Sequence, residues 1–361
     1  MNITTAAADL AKDLITVCAQ DSSGRTVERR DLRRDGFLPW LRRLPAGCVV
    51  GMEACSAAHH WAREMAAMGL VPRIMAAEFV QPFRKSRAGK NDRNDAEAIA
   101  IAVREANMRF VAIKSVEQQA RLSNHRIREG WKEERTALGN RVRGLLAEFG
   151  ISIPKSRVVL GRALAEAAHD ERLPESVRTV VRSAREHLET LEARIGECDV
   201  AIGLACRNDP AARRLQELCG VGPTIADAAI ATIGDAHTFR NGRQFAAWLG
   251  LTPRQFSSGG VARLGSITRR GDAYLRTLLV LGARSALNSA VKCPPEKATR
   301  LQHWIVQLRA RVGYHKTLVA IANKYARMIW ALLARDEGYN PEAWKRFSPN
   351  ERSSDVGCNT R

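Results

Sequence analysis

The chain has 361 residues, 45% of them hydrophobic, and carries 57 Lys and Arg against 38 Asp and Glu, a net charge of +19. Such a length predicts more than one domain, and such a charge selects a polyanionic partner, nucleic acid before an anionic membrane, because no basic amphipathic anchor and no bilayer-length apolar run occurs. The opening "MNITTAAADLAKD" lacks a basic segment followed by an apolar core, and the eight cysteines contain no C-x-x-C pair. A cytoplasmic protein with reduced thiols and no zinc site is therefore expected.

Along residues 1–110, short strand-like and longer helix-like patterns alternate. Strands are predicted ending at Asp9, at 14–19 and near 26–30, with a turn at "DSSG" between the last two. A helix at about 35–43, a strand "CVVGME" (48–53), a helix at about 56–68 and a strand "VPRIMA" (71–76) follow, and a last helix opens at Asp92. Three strands joined by tight turns and then helix–strand alternation predict an α/β layered domain with a mixed sheet, the element order of the ribonuclease H-like fold.

From 116 to 206 the pattern changes to long, charged, helix-periodic segments broken at "GISIPKS" (150–156). This predicts an antiparallel helical coiled-coil arm that serves as a spacer or an oligomerisation surface. From 207 a mainly α region begins with "LCGVGPTIADAAIATIGD". Its Gly220-Val-Gly222 reads either as a helix-hairpin-helix turn, whose amides hold a phosphate at a helix N-terminus, or as a plain helix–helix turn. The boundaries expected are 1–115, 116–206, 207–337 and a polar tail 338–361.

The acids are placed at element ends. Asp9 closes the first strand, Glu53 closes "CVVGME", and Asp92 and Asp95 open the last helix of the same domain in "KNDRNDAEAIA". Helix capping explains one Asp there. A second at i+3 lies on the same face and repels the first unless a cation intervenes. Four carboxylates converging on one sheet edge suit hard Mg²⁺ or Mn²⁺, and a pair of such ions clamps a phosphate. No histidine pair has ligand spacing, and the adjacent His59 and His60 point to different faces of their helix.

These motifs resemble the DEDD-type transposases of bacterial insertion sequences, relatives of the pilin-gene invertase. Asp9 in "DLAK", Glu53 in "GMEACSAAHHWA" and Asp92 and Asp95 match that family's four acids. "LCGVGPTIADAAIATIGD", "FAAWLGLTPRQFSSGG" and "GSITRRGDAYLRTLLVLGA" match its C-terminal transposase domain, so the resemblance covers roughly residues 1–335. The first strand, "TTAAAD", departs from the family's large apolar residues and Gly. It should be weaker, and Asp13 competes for the role of Asp9.

The resemblance implies a RuvC-like N-terminal domain that binds Mg²⁺ or Mn²⁺ through the four acids. It also implies a C-terminal serine that attacks the DNA phosphate to form a phosphoserine link. Ser258, which precedes a Gly, is the candidate, with Ser257 as the alternative. Arg254, Arg263, Arg269, Arg270 and Arg276 are the nearest phosphate-binding side chains, with Gly220 and Gly222 as further nucleic-acid contacts. Donor and target DNA, a guide (bridge) RNA and a homo-oligomer, a dimer assembling to a tetramer, are the implied partners, with no membrane. A junction-resolvase-type nuclease would need the acids and water but no serine. A non-catalytic nucleic-acid-binding protein would need only the arginines and the Gly220–Gly222 turn.

Overall fold

The computed structural model describes residues 3–84, 92–256, 261 and 263–341, with backbone alone at Asp92 and Arg93. The chain divides into two compact units, residues 1–116 and 117–361.

The first unit is built on a mixed sheet. Strands β1 (Ile3–Leu10), β2 (Leu14–Asp21) and β3 (Thr26–Arg33) form an antiparallel meander. Helix α1 (Arg34–Leu41), β4 (Val49–Glu53), α2 (Ala58–Ala67), β5 (Val71–Met75), α3 (Ala77–Val80), α4 (Asp92–Ala102) and a two-residue β6 (Phe110–Val111) follow. The order across the sheet is β3-β2-β1-β4-β5-β6, with β4 parallel to β1, β5 parallel to β4, and β6 antiparallel to β5. The seven strand and helix expectations before α4 fall on observed elements. β6 and α3 are too short to leave a period in the sequence.

Alternation of side chains along the strands sends Ala6, Ala8, Val17, Val50 and Met52 to one face, where they pack with Phe37 and Trp40 of α1 and Trp61 and Met65 of α2. The opposite face receives Ala7 and Cys18, against Ala96, Ile99, Ala100 and Val103 at α4. The alanines of β1, expected to weaken that strand, are wholly buried at positions 6, 7 and 8. Their small size lets helices lie close on both sides. Gly51 carries this furthest: a Cβ there would sit 2.9 Å from Val103 Cβ and 3.2 Å from Ile99 Cγ2.

The second unit opens with three helices where a two-helix hairpin is expected: α5 (Val116–Ala147), α6 (Arg157–Ala167) and α7 (Glu175–Asn208). Ser156 caps α6 by accepting from the Val159 amide at 3.5 Å. Leu160 and Leu164 of α6 are buried with Val142 and Leu146 of α5 and Val181 and Ala184 of α7. Each such leucine contributes roughly 1.5–3 kcal/mol by leaving water, which is why a segment between two long helices becomes a third.

The remainder is α8 (Pro210–Leu215), α9 (Pro223–Ile233), α10 (Gly242–Trp248), a hairpin of β7 (Pro253–Gln255) and β8 (Leu264–Ile267), then α11 (Ala273–Lys292), α12 (Arg300–Val312) and α13 (Tyr314–Arg335). Their core gathers Phe245, Leu275, Leu279, Ile321, Tyr325 and Ile329. Tyr325 is fully buried and donates its hydroxyl to the Cys219 carbonyl at 2.5 Å. Among the described residues no helix is long and apolar enough to cross a membrane.

Candidate functional site

In the first unit the register of β1 on β4 sets the geometry. The last parallel partners are Ala8 and Met52, so Asp9 and Glu53 come next, side by side at the ends of neighbouring strands. Ala7 and Gly51, two residues earlier, face α4, so by the strand period Asp9 and Glu53 face it too. Asp95 lies one helical turn before Ile99, which sits over Gly51, and this carries Asp95 toward the same strand ends. Asp13 stands apart in the exposed turn between β1 and β2.

Asp95 is 6% exposed, too buried to serve as a simple surface cap. Its partner is Arg84, whose Nε is 3.0 Å from Asp95 Oδ1 and whose Nη2 donates to Glu53 Oε1 at 3.2 Å. One guanidinium therefore bridges two of the expected site acids. A buried carboxylate left unpaired costs several kcal/mol, so this cation is what the site requires when no other is near. The fit is imperfect, because Arg84 Nε is buried and close to Oδ1 yet lacks the directional geometry of a hydrogen bond. Two residues beyond Glu53 lies Cys55. Its thiol is pushed up first by burial and then by the negative charges of Asp9 and Glu53, which puts both carboxylates in one neighbourhood. Ala57 follows at φ 71°, a left-handed non-glycine that opens α2 beside this cluster.

The donor set is oxygen-only and fits a hard divalent cation. Among the described residues no three His, Cys, Asp or Glu side chains converge into a cation cage. The side chain of Asp92 lies outside the described residues, although its backbone opens α4.

In the second unit, Ser257 and Ser258 lie outside the described residues, within the segment that joins β7 to β8. The hairpin carrying them is defined at both ends. The Phe256 amide donates to the Arg263 carbonyl at 2.8 Å, and at the base Thr268 donates to Thr252 at 2.9 Å and Arg269 to Gly250 at 3.1 Å. Arg254, Arg263, Arg269 and Arg270 stand exposed on this hairpin and its base. Arg276 is employed differently: its Nη1 donates to the carbonyls of Leu249 (2.9 Å) and Arg270 (3.0 Å), clamping the two legs together. Six arginines and no acid occur between Asp235 and Asp272, so this stretch of the chain is strongly basic in sequence.

Gly220 and Gly222 separate. Gly220 has φ +88°, and a Cβ there would lie 2.4 Å from the Gly282 carbonyl, so this turn packs against the α11 backbone. Gly222 caps α9 with open space around it.

The sequence reading missed a buried polar network. Asp227, 2% exposed inside the apolar α9, meets His125 Nε2 at 3.0 Å and Arg121 Nη1 at 3.3 Å. His125 Nδ1 lies 3.0 Å from the Tyr274 hydroxyl, and Arg121 also donates to Asp209 at 2.9 Å. Burial, reinforced by Glu129, pushes Tyr274 up to about 12. The network ties α5 to α9 and to the first turn of α11, just past the hairpin. Its one sequence signal is the lone acid in "TIADAAIATI". Between α5, α6 and α7, a groove of about 420 Å³ is lined by Arg135, Arg143, Lys155, Arg157 and Arg185 against Glu189 and Glu192.

Residues 212–298 match the transposase IS116/IS110/IS902 family, and residues 6–151 match the IS110-type DEDD transposases. Over 94% of its length the chain is 44% identical to a probable family 20 transposase of Pseudomonas aeruginosa, all of which is covered. It is 37% identical to the transposase for insertion sequence element IS1111A of Coxiella burnetii, over 92% of this chain and 90% of that protein. Identity to the transposase for insertion sequence element IS1328 of Yersinia enterocolitica is 33%, over 92% and 97%.

Proposed function

The chain belongs to the transposase IS116/IS110/IS902 family, and from that premise we propose that it cuts and rejoins DNA through a phosphoserine intermediate formed on Ser258. The first unit then acts as a RuvC-like, ribonuclease H-type domain, a reading supported by the sheet order and by acids at the ends of β1 and β4. Asp9, Glu53, Asp92 and Asp95 would hold Mg²⁺ or Mn²⁺. A divalent cation bound by them supplies charge stabilisation at the scissile phosphate.

The chain's own residues do the rest. The Ser258 hydroxyl attacks phosphorus, its proton passes to a base, and the sugar oxygen leaves as a hydroxyl. The bond energy is kept in the phosphoserine ester, so a second sugar hydroxyl can reverse the step on a new strand without an external energy source. Arg254, Arg263, Arg269 and Arg270 neutralise phosphate charge around the serine. Arg276 positions the legs of the hairpin that carries it. Gly222 and the open α9 N-terminus are a further phosphate contact.

Assembly follows from the same reading. Ile127, Val180, Val200 and Leu204 of α5 and α7 are exposed apolar residues, suited to a second copy of the arm, and the oligomer is a dimer that builds a tetramer. A cytoplasmic location and a structured guide RNA complete the proposal. The basic groove of the arm supports a polyanionic partner.

The observation that carries the reading is the buried Asp95, held with Glu53 around one cation at the end of the sheet. The test is excision and rejoining of a plasmid-borne element with its own flanking DNA. Asp95→Asn and Ser258→Ala should each abolish rejoined product while the chain stays folded. Nicked or cleaved DNA from Ser258→Ala at the wild-type rate would favour a water-using nuclease instead.

A further inference from the structure

We propose that Arg84 is an internal counter-cation, exchanged for the divalent ion when the carboxylate site is loaded. This rests on the acid-site reading above and adds a residue that the four acids do not include. Three observations converge on it. Arg84 spans Glu53 (3.2 Å) and Asp95 (3.0 Å) with one guanidinium. The acids are nearly dry, with side chains 18% and 8% exposed, whereas the Arg84 side chain is 32% exposed. And Arg84 Nε is buried without a proper hydrogen bond, so the ion pair is held by charge rather than by directional fit.

The physical consequence is competition. A carboxylate oxygen that accepts from a guanidinium has a lone pair and a share of its charge committed. A hard divalent ion needs those oxygens at 2.0–2.2 Å or so and cannot approach with a second cation in place. Loading therefore requires Arg84 to swing outward, a movement open to a side chain that is already one third exposed. Arg84 follows directly on Phe83, the end of a short 3-10 turn packed near α4, and precedes the segment leading to Asp92. The side chain that leaves the acids thus stays tethered to this turn, within its own length of Glu53 and Asp95. A freed guanidinium there matches a phosphate oxygen pair. Without the ion, Arg84 keeps two acids from repelling each other and the site folded. With the ion, the same charge becomes available to the nucleic-acid substrate.

The test uses the full-length chain and Mn²⁺ alone as the probe, with affinity read by titration calorimetry or by the loss of free-ion paramagnetic signal. Thermal stability is measured with EDTA and with saturating Mn²⁺. Arg84→Ala should bind Mn²⁺ about tenfold more tightly than wild type, melt lower in EDTA, and lose that deficit in Mn²⁺. Arg84→Lys, whose single ammonium cannot fork across two carboxylates, should fall between. Asp95→Asn should bind weakly. Equal or weaker Mn²⁺ binding by Arg84→Ala, with wild-type binding still dependent on Asp95, overturns the exchange while leaving the acid site standing. Wild-type binding no better than that of Asp95→Asn overturns both.

Discussion

Substitution of Gly51 by Ala tests how tightly α4 is seated on the sheet, and through it how the carboxylates are aligned. The added Cβ would meet Val103 Cβ at 2.9 Å, Val103 Cγ2 at 3.1 Å and Ile99 Cγ2 at 3.2 Å. None of these is the movable end of a long side chain, and Val103 and Ile99 are branched at Cβ. Relief therefore requires the helix to lift by roughly half an ångström, and overpacking of this kind costs ~1–3 kcal/mol. Asp95 lies one turn from Ile99, so it rises with the helix. Global unfolding of a two-unit chain is a poor readout, because one transition need not report one unit. Amide hydrogen exchange of peptides from β4 and α4 reports local opening directly, and should accelerate about 5- to 150-fold, with peptides of α11 and α13 unaffected. Gly36→Ala is the control: nothing lies within 4 Å of its Cβ position in α1, so it should be neutral or mildly stabilising. Unchanged protection in Gly51→Ala would refute the close helix–sheet approach on which the site geometry rests.

Further outcomes follow from the second unit. Asp227→Ala leaves His125 and Arg121 without their buried acceptor and should cost about 3–5 kcal/mol, read by amide hydrogen exchange of peptides from α5 and α9. Asp199→Ala, whose carboxylate is 46% exposed beside Arg128, should cost under about 1 kcal/mol. Replacing Lys155 and Arg157 at the arm groove by Ala should reduce the slope of log affinity against log salt for nucleic acid by roughly 1–2, with the melting temperature unchanged. Mixing Asp92→Asn chains with Ser258→Ala chains should restore part of the excision activity if acids and serine of different chains share a site. Co-assembled mixtures that stay inactive would place both on one chain.

Much of this was legible in the sequence because the first unit obeys simple periods. "CVVGME" is short, apolar and followed by a helix-periodic stretch, so β4 and the position of Glu53 at its end could be read directly. Asp9 was harder: alanines look like poor strand formers, and only the packed structure shows that small side chains suit a strand buried on both faces. Helix α6 was missed because eleven residues carry too little period against two helices of over thirty. Long-range pairs left no trace at all. Arg84 opens the basic stretch "RKSRAGK", where nothing singles it out, and its partnership with Asp95 exists only once β4 and α4 are brought together. The Asp227 network joins residues about a hundred positions apart, and only the odd acid in an apolar helix hints at it.

The central claim is that a serine oxygen, not water, attacks the DNA phosphate, and one measurement addresses it most directly. End-labelled DNA carrying the element's own ends is incubated with the protein and Mg²⁺, denatured, and resolved by electrophoresis, and the shifted band is digested for peptide mapping. The account predicts a covalent protein–DNA adduct that maps to Ser258, disappears in Ser258→Ala and persists in Ser257→Ala, while DNA binding changes little in either, because a hydroxyl carries none of the +19 charge. Cleaved DNA with free ends and no adduct in the wild-type protein would contradict it.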